Sequence, residues 1–369
     1  MLVFLFHASL FAGFDKFRLP VSFPFVDRTF VLPNFFSLGA SGVSLFFVVS
    51  GYCLTRKWYR SGVESFPLFD YFFRRFARIY PAYLFSLMIT LVLWAISQTS
   101  LLSDAAIGVD SSDLVVDFLI HSLFLQGFSP VSFQSFNGTL WSMSTEVQFY
   151  LLLPFIYLYG MRTTPTLGVS LALIFCLVVR YVASSDATLN APVNGGVNYS
   201  VLISYSVLGR IFEFVVGMYI ASLESNSKLP RLGLFSVLSV FTVAMVARWK
   251  GLGWLADPFF GIAYGVVLVF FIRGLDLKRN EFVTSNRYFF SRLQVFGIYS
   301  YSFFLIHWPI MFISQKLNWI STQSNWERLL FDAPVCFIIS YVASRWMYTN
   351  VEERGQRAIL NWRESSTRS

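Results

Sequence analysis

An all-α polytopic membrane helix bundle is predicted by three observations: the apolar content of the chain, the spacing of its apolar runs, and the side on which its basic residues gather. Of 369 residues, 56% are hydrophobic and only 13% charged, with a mean hydropathy of +0.60. A soluble domain cannot hide that much apolar surface. Several uncharged runs approach the roughly 20 residues a helix needs to cross the hydrocarbon layer, and in lipid a helix satisfies its own backbone. Tryptophan and tyrosine gather near the ends of the runs, where a ring with one wet edge is favoured. Residues 1–350 are read as one membrane domain and residues 351–369 as a cytoplasmic tail.

The runs justify themselves in order. Residues 1–14 (MLVFLFHASLFAGF) are apolar but short, with no basic leader and no small-residue cleavage site before Asp15. They read as a first span lacking its front rather than as a signal peptide. His7 then lies in the membrane, where an ionisable group is a functional candidate by default. Runs over residues 35–54 and 79–97 flank a loop carrying Arg56, Lys57, Arg60, Arg74, Arg75 and Arg78, which the positive-inside rule assigns to the cytoplasm. Further runs over residues 147–159, 167–183, 201–223, 233–246, 255–272, 293–314 and 329–348 bring the total to about ten spans.

The segment 114–128 (LVVDFLIHSLFLQGF) holds Asp117 and His121 and is short for a span. Counting it as one reverses every later helix and removes the excess of Lys and Arg from the cytoplasmic side. It is therefore read as a re-entrant or interfacial helix on the outer face, with both termini cytoplasmic. Trp141, Ser142 and Glu146 then lie near the outer surface, and His7 and His307 in the outer half of their helices. Cys53, Cys176 and Cys336 all lie inside apolar runs, which suggests neither a disulfide framework nor a metal site. The sequons at Asn137 and Asn198 fall on the outer side.

Five segments, GVSLFFVVSGY (residues 42–52), FRRFARIYPAY (73–83), WSMSTEVQFYLLLP (141–154), RIFEFVVGM (210–218) and YSYSFFLIHWPI (299–310), resemble the acyltransferase-3 family of integral-membrane O-acyltransferases, in that family's order and over nearly the whole chain. The resemblance implies transfer of an acyl group, usually acetyl, from cytoplasmic acyl-CoA to a hydroxyl of a cell-envelope or exported carbohydrate. It makes His7 the catalytic histidine of the first span, Arg75 and Arg78 the arginines of the cytoplasmic Arg-x-x-Arg motif, and Trp141, Ser142 and Glu146 the Trp-Ser-x-x-x-Glu motif. The family's arginine upstream of that histidine has no counterpart in the sequence. VEERGQR (351–357) resembles a terminal Glu-x-Pro with Arg354 in place of the proline, a change expected to alter how the last helix ends.

The residue chemistry is compatible with this. A neutral imidazole can take the proton of an alcohol as it attacks a thioester, the role expected of His7, with Glu146 holding the ring or balancing its charge. A packed histidine and a helix-capping glutamate, with Ser142 or Ser144 as the cap, are the alternatives. Arg74, Arg75 and Arg78 suit the phosphates of acyl-CoA, or are purely an orientation signal. Arg210 and Glu213, one turn apart, form either an ion pair that holds helices in register or part of the donor path. His307 either bonds Ser300 or Ser302 or supports the site. Arg180 and Arg345 are expected to snorkel from span ends.

The expected partners are acyl-CoA as donor substrate, a carbohydrate or lipid-linked glycan as acceptor, and membrane lipids, with no permanently bound cofactor, no metal and no nucleic acid. The expected location is a bacterial inner membrane. A transporter or flippase of an envelope intermediate is the competing reading, because buried ionisable groups suit it too.

Overall fold

The computed structural model describes residues 1–14, 19–22, 29–32, 35–63, 67–97, 114–277, 287–317 and 324–366. The helices are α1 (Leu2–Phe11), α2 (Gly42–Ser61), α3 (Leu68–Ser97), α4 (Leu114–Ser122), α5 (Trp141–Phe155), α6 (Pro165–Ser185), α7 (Tyr199–Tyr205), α8 (Val207–Ser225), α9 (Leu234–Trp249), α10 (Gly253–Leu277), α11 (Arg287–Leu317), α12 (Ala333–Met347) and α13 (Glu353–Ser366). A short antiparallel ribbon, β1 (Leu19–Ser22) and β2 (Thr29–Leu32), pairs Leu19 with Leu32 and Ser22 with Thr29. The helical reading of the sequence did not anticipate it, although its Val, Thr and Phe residues suit a strand.

The chain is a multi-pass integral membrane protein. Seven helical stretches among the described residues are long and apolar enough to cross a bilayer, while α1 and α9 are apolar but shorter. The remaining run, residues 147–159, corresponds to the later part of α5, which continues through a π-helical turn, Ile156–Met161. On α6 the exposed residues Leu167, Leu171, Ile174, Val178 and Val182 form an apolar stripe, while Cys176 and Arg180 are buried. That arrangement inverts the soluble pattern and suits a hydrocarbon solvent.

The chain forms two compact units. The first comprises Met1–Gly42, Arg78–Ser111 and Tyr299–Ser369, the second Val43–Ala77 and Ser112–Ile298. In the first, α1 lies so close to the turn before α2 that a Cβ on Gly39 would stand 2.3 Å from the Leu2 carbonyl oxygen. The Tyr301 hydroxyl donates to the Ile79 carbonyl (3.0 Å) and the Ser86 hydroxyl to that of Leu305 (3.3 Å), tying α3 to α11. The last helix does not end at the position of the resembling Glu-x-Pro. From α12 it runs through a π turn, Tyr348–Glu352, into α13, since Arg354 keeps the N–H a proline would lack. Glu352 is buried, accepting a hydrogen bond from Ser302 (2.7 Å).

In the second unit, α2 and α8 meet at two glycines. A Cβ on Gly51 would lie 2.0 Å from the Phe214 carbonyl oxygen, and one on Gly217 would lie 2.0 Å from that of Val48, so only glycine lets these backbones touch. Residues 114–128 do not form a continuous span. After the nine residues of α4, Phe124 adopts φ 58° and a 3-10 turn follows over Leu125–Phe128. His121 is buried in this segment, its Nδ1 bonded to the Asp117 carbonyl (2.9 Å).

Both sequon asparagines already have local work. Asn137 is buried and accepts from the Thr139 N–H and hydroxyl (3.0 and 2.7 Å), while Asn198 caps α7 through the Val201 N–H (2.9 Å). The loop after α6 is closed by Asp186, which accepts from Thr188 and from the Leu189 N–H. These bonds, the Thr188 hydroxyl foremost, hold its carboxyl below the usual range.

Candidate active site

Two buried polar centres stand out, one in each unit. In the first, His7 and His307 face each other, with His7 Nδ1 3.0 Å from His307 Nε2. The other nitrogen of His307, Nδ1, lies 2.7 Å from the Phe304 carbonyl oxygen and 3.2 Å from that of Phe303. A carbonyl can only accept, so Nδ1 carries the hydrogen. In neutral His307 this leaves Nε2 as the acceptor, and the hydrogen between the rings belongs to His7 Nδ1. His7 Nε2 then keeps its lone pair, as a base requires. Packing fixes the geometry: the Phe303 ring stacks on His307 at 5.9 Å with planes 5° apart, and Phe4 packs against both Phe303 and His307. His307 is therefore a partner of His7 and does not bond Ser302, whose hydroxyl goes to Glu352.

Glu146 lies in the second unit. The capping alternative put the helix start near Val147 with Ser142 or Ser144 as the cap, but α5 begins at Trp141 and the residue before it, Leu140, makes no side-chain cap. Glu146 thus lies more than one turn inside the helix and is 1% exposed, which rules out the capping reading. Neither carboxylate oxygen meets a hydrogen-bond partner at bonding geometry, and its polar neighbours are Tyr150, Ser50 and Arg75. Arg75 is half-buried, its guanidinium 5.8 Å from the ring centres of both Tyr71 and Tyr150. The charge distribution had set Arg75 and Glu146 toward opposite faces, yet they are neighbours. Arg74 and Arg78 are exposed.

The other predicted residues of this unit converge on a network of charges. Arg210 Nη1 lies 2.7 Å from Glu213 Oε1, and its Nη2 3.3 Å from Asp257 Oδ2. Arg180 Nη2 lies 2.6 Å from the same Asp257 oxygen. Arg180 also donates to the carbonyls of Ser204, Gly253 and Trp254 (2.8, 2.9 and 2.9 Å). It is buried, not snorkelling, because an acidic partner waits on α10. The Arg210 guanidinium sits over the rings of Tyr205 (4.9 Å) and Trp141 (6.0 Å), so Trp141 supports the charge cluster. Ser142 is buried and donates to the Thr139 carbonyl (3.0 Å), a local helix-start bond.

The structure thus joins His7 to His307, Glu146 to Arg75, and Trp141, Arg210 and Glu213 to one another. The expected meeting of His7 and Glu146 concerns residues of different units. Sequence reasoning missed Asp257, which lies inside the run over residues 255–272, although an acid in a span is itself a signal for a buried cation. It also missed Glu224, which accepts from Arg56 (2.6 and 2.7 Å), Arg60 (3.0 Å) and Tyr52 (2.9 Å), so two of the six loop cations are already engaged. Among the described residues no group of three or more His, Cys, Asp or Glu side chains is arranged to hold a metal ion.

A sequence model of the acyltransferase-3 family, described as an acyltransferase domain, matches residues 1–345. The chain belongs to that family. The chain is 24% identical over 338 residues to the peptidoglycan O-acetyltransferase OatA of Listeria monocytogenes, covering 86% of this sequence and 52% of the relative. It therefore spans about half the length of that protein. Over 296 residues it is 26% identical to the acyltransferase MdmB of Streptomyces mycarofaciens (76% of this chain, 70% of the relative). Over 278 residues it is 28% identical to the exopolysaccharide production protein ExoZ of Rhizobium meliloti (74% and 76%). No solved structure matches. Of the residues that carried the family likeness in this acyltransferase-3 chain, Ser142 and Glu146 are buried, His7, Arg75 and Trp141 are half-buried, and Arg78 is exposed.

Proposed function

We propose that this protein is a membrane O-acyltransferase that moves an acyl group, acetyl in the reading its relatives favour, from cytoplasmic acyl-CoA to a hydroxyl of a cell-envelope or exported carbohydrate. The observation that carries the proposal is the orientation of His7. Its Nδ1 hydrogen is committed to His307, so Nε2 is left as a base on a half-buried side chain. In the step envisaged, Nε2 takes the proton of the acceptor hydroxyl as its oxygen attacks the thioester carbonyl. The carbon–sulfur bond breaks, and the imidazolium returns the proton to the departing thiolate. Acceptor ester and free coenzyme A are the products, and the histidine ends as it began. The names of the Listeria and Rhizobium relatives favour a cell-wall or exported polysaccharide acceptor.

Arg74 and Arg78, exposed on adjoining turns of α3, are assigned the phosphates of the donor, whose charge their forks suit. Arg75, half-buried beside Glu146, is assigned to the same donor role. A bacterial inner membrane with both termini cytoplasmic, and a domain of residues 1–350 followed by a tail, complete the reading.

The test is transfer of labelled acetyl from acetyl-CoA to glycan in membrane vesicles carrying the full chain. His7→Ala should lower transfer by at least about a hundredfold, the scale of a lost general base, and Glu146→Gln should also abolish it, both at unchanged membrane abundance. Wild-type activity in His7→Ala would overturn the assignment. Intact glycan acetylation but lost glycan export in a deletion strain would favour a transporter instead.

A further inference from the structure

In the second unit α2, α3 and α5 meet through ring contacts, Trp58 with Tyr71 at 5.5 Å and Phe47 with Phe149 at 5.0 Å. Between those contacts, buried polar atoms gather without satisfying one another. Both carboxylate oxygens of Glu146, the Tyr71 hydroxyl and Arg75 Nε are buried and find no hydrogen-bond partner among the described residues. They belong to one place. The Arg75 guanidinium lies 5.8 Å from the ring centres of Tyr71 and Tyr150, Arg75 and Glu146 are the charged neighbours of the Tyr71 hydroxyl, and Ser50 and Tyr150 adjoin Glu146. Two helices, α3 and α5, thus bring acceptors and donors together in the interior. Groups left unmet there cost free energy that only water or a ligand can return.

We infer that Tyr71, Arg75 and Glu146 seat a neutral, amide-bearing ligand segment, and that this segment is the pantetheine arm of the acyl-CoA donor. The inference rests on the O-acyltransferase reading above and adds which part of the donor these residues recognise. The set of groups narrows the ligand class. A phosphate would meet the Glu146 acid, a cation would meet the Arg75 guanidinium, and an acyl chain would leave every polar atom unmet. A secondary amide fits all of them. Its N–H can donate to a Glu146 oxygen, its carbonyl can accept from Arg75 Nε, and the Tyr71 hydroxyl can serve either end. The register of α3 places the seat next to the phosphates. Arg74 and Arg75 are neighbours in sequence and so project about 100° apart around the helix. Arg74 is exposed, where the charged nucleotide end of a donor can stay in water, while half-buried Arg75 faces the interior into which an uncharged arm can follow.

Equilibrium binding of coenzyme A and of adenosine 3′,5′-bisphosphate to the full chain purified in detergent tests this, because the second ligand keeps the nucleotide end and lacks the arm. Coenzyme A should bind the wild type more tightly than the nucleotide. Tyr71→Phe, which removes one hydroxyl, should weaken coenzyme A about five- to tenfold and leave the nucleotide unchanged. Because that hydroxyl has no partner among the described residues, the variant should keep or raise the melting temperature measured without ligand. Glu146→Gln should weaken coenzyme A selectively too, whereas Arg74→Ala should weaken both ligands. Equal affinity of the wild type for the two ligands would overturn the inference. So would wild-type coenzyme A binding in Tyr71→Phe, which would mean that the buried atoms hold water only. A Tyr71→Phe chain that loses both ligands together, or melts lower without them, would make the hydroxyl structural and overturn it as well. Acetyl transfer in membrane vesicles separates this from the reading beneath it. Transfer by Tyr71→Phe with an unchanged donor KM would remove the seat and leave the O-acyltransferase. Selective loss of coenzyme A in Tyr71→Phe, with no transfer by the wild type, would remove the O-acyltransferase and leave the seat.

Discussion

The two buried centres answer the same problem, polar groups in a low-dielectric interior, in opposite ways. The His7–His307 pair is neutral and consists of two rings and two backbone carbonyls, with one ring nitrogen left over. The Arg180–Asp257–Arg210–Glu213 cluster sets two guanidinium groups against two acids, equal in number. A full charge in such surroundings is tolerable only when compensated, and compensation occupies the groups that make it. A neutral imidazole costs less to bury and keeps a lone pair available. The comparison therefore teaches a division of labour: the charged cluster holds α6, α8 and α10 together, and the neutral pair is the one equipped for proton transfer.

The hardest test of that division is to unbalance the cluster. Asp257→Asn leaves Arg180 and Arg210 with Glu213 as the one remaining anion of the cluster, and breaking a buried pair in this way costs about 3–5 kcal/mol. Folded protein recovered in detergent should fall severely, whatever the acceptor or donor present. The double replacement Arg180→Met with Asp257→Leu removes one charge of each sign, leaves Arg210 with Glu213, and should recover most of the yield. A double variant as poor as the single one would break the argument that the cluster acts by charge balance.

A smaller effect is expected at the neutral pair. His307→Ala removes the acceptor that holds the His7 Nδ1 hydrogen, so the tautomer and ring orientation are no longer fixed. Acetyl transfer should show kcat lowered about ten- to a hundredfold, or roughly 1.4–2.8 kcal/mol, with KM for donor and acceptor unchanged and folded yield near wild type. His307→Gln offers a carboxamide oxygen in place of Nε2 and should restore much of kcat. A merely structural His307 would instead lower yield in both variants and leave kcat per folded molecule untouched.

The sequence revealed much of this, because membrane helices follow from apolar length alone and an ionisable residue in such a run announces itself. His7, Arg210 and Glu213 were found that way, and the Arg210–Glu213 pairing followed from their one-turn spacing. Partners distant in sequence were not legible. Three hundred positions separate His7 from His307, and nothing in YSYSFFLIHWPI says that its histidine will prefer another imidazole to a nearby serine. Asp257 was hidden by the averaging that reads a run as apolar, and with it went the reason Arg180 is buried. The depth of Glu146 was misjudged for a related reason. Polar residues that stay buried, such as Ser142, Ser144 and Thr145, look like the edge of a helix when they are already inside it.

The smallest expected effect comes from a third group of charges, and it sharpens the comparison by changing only the solvent. Glu224 accepts Arg56 in a two-toothed bond at 2.6 and 2.7 Å and Arg60 at 3.0 Å, distances as short as those of the buried cluster. Yet the Arg56 and Arg60 side chains are 41% and 54% exposed. Water and salt screen such pairs, and freed arginines can be rehydrated where they stand. Glu224→Gln should therefore cost about 1 kcal/mol or less, seen as a small fall in melting temperature that shrinks further as salt is raised. Asp257→Asn, with its partners closed off from water, should lose nearly as much at high salt as at low. Equal salt dependence at both sites would mean that burial does not separate the two clusters, and the division between holding and reacting groups would lose its physical basis.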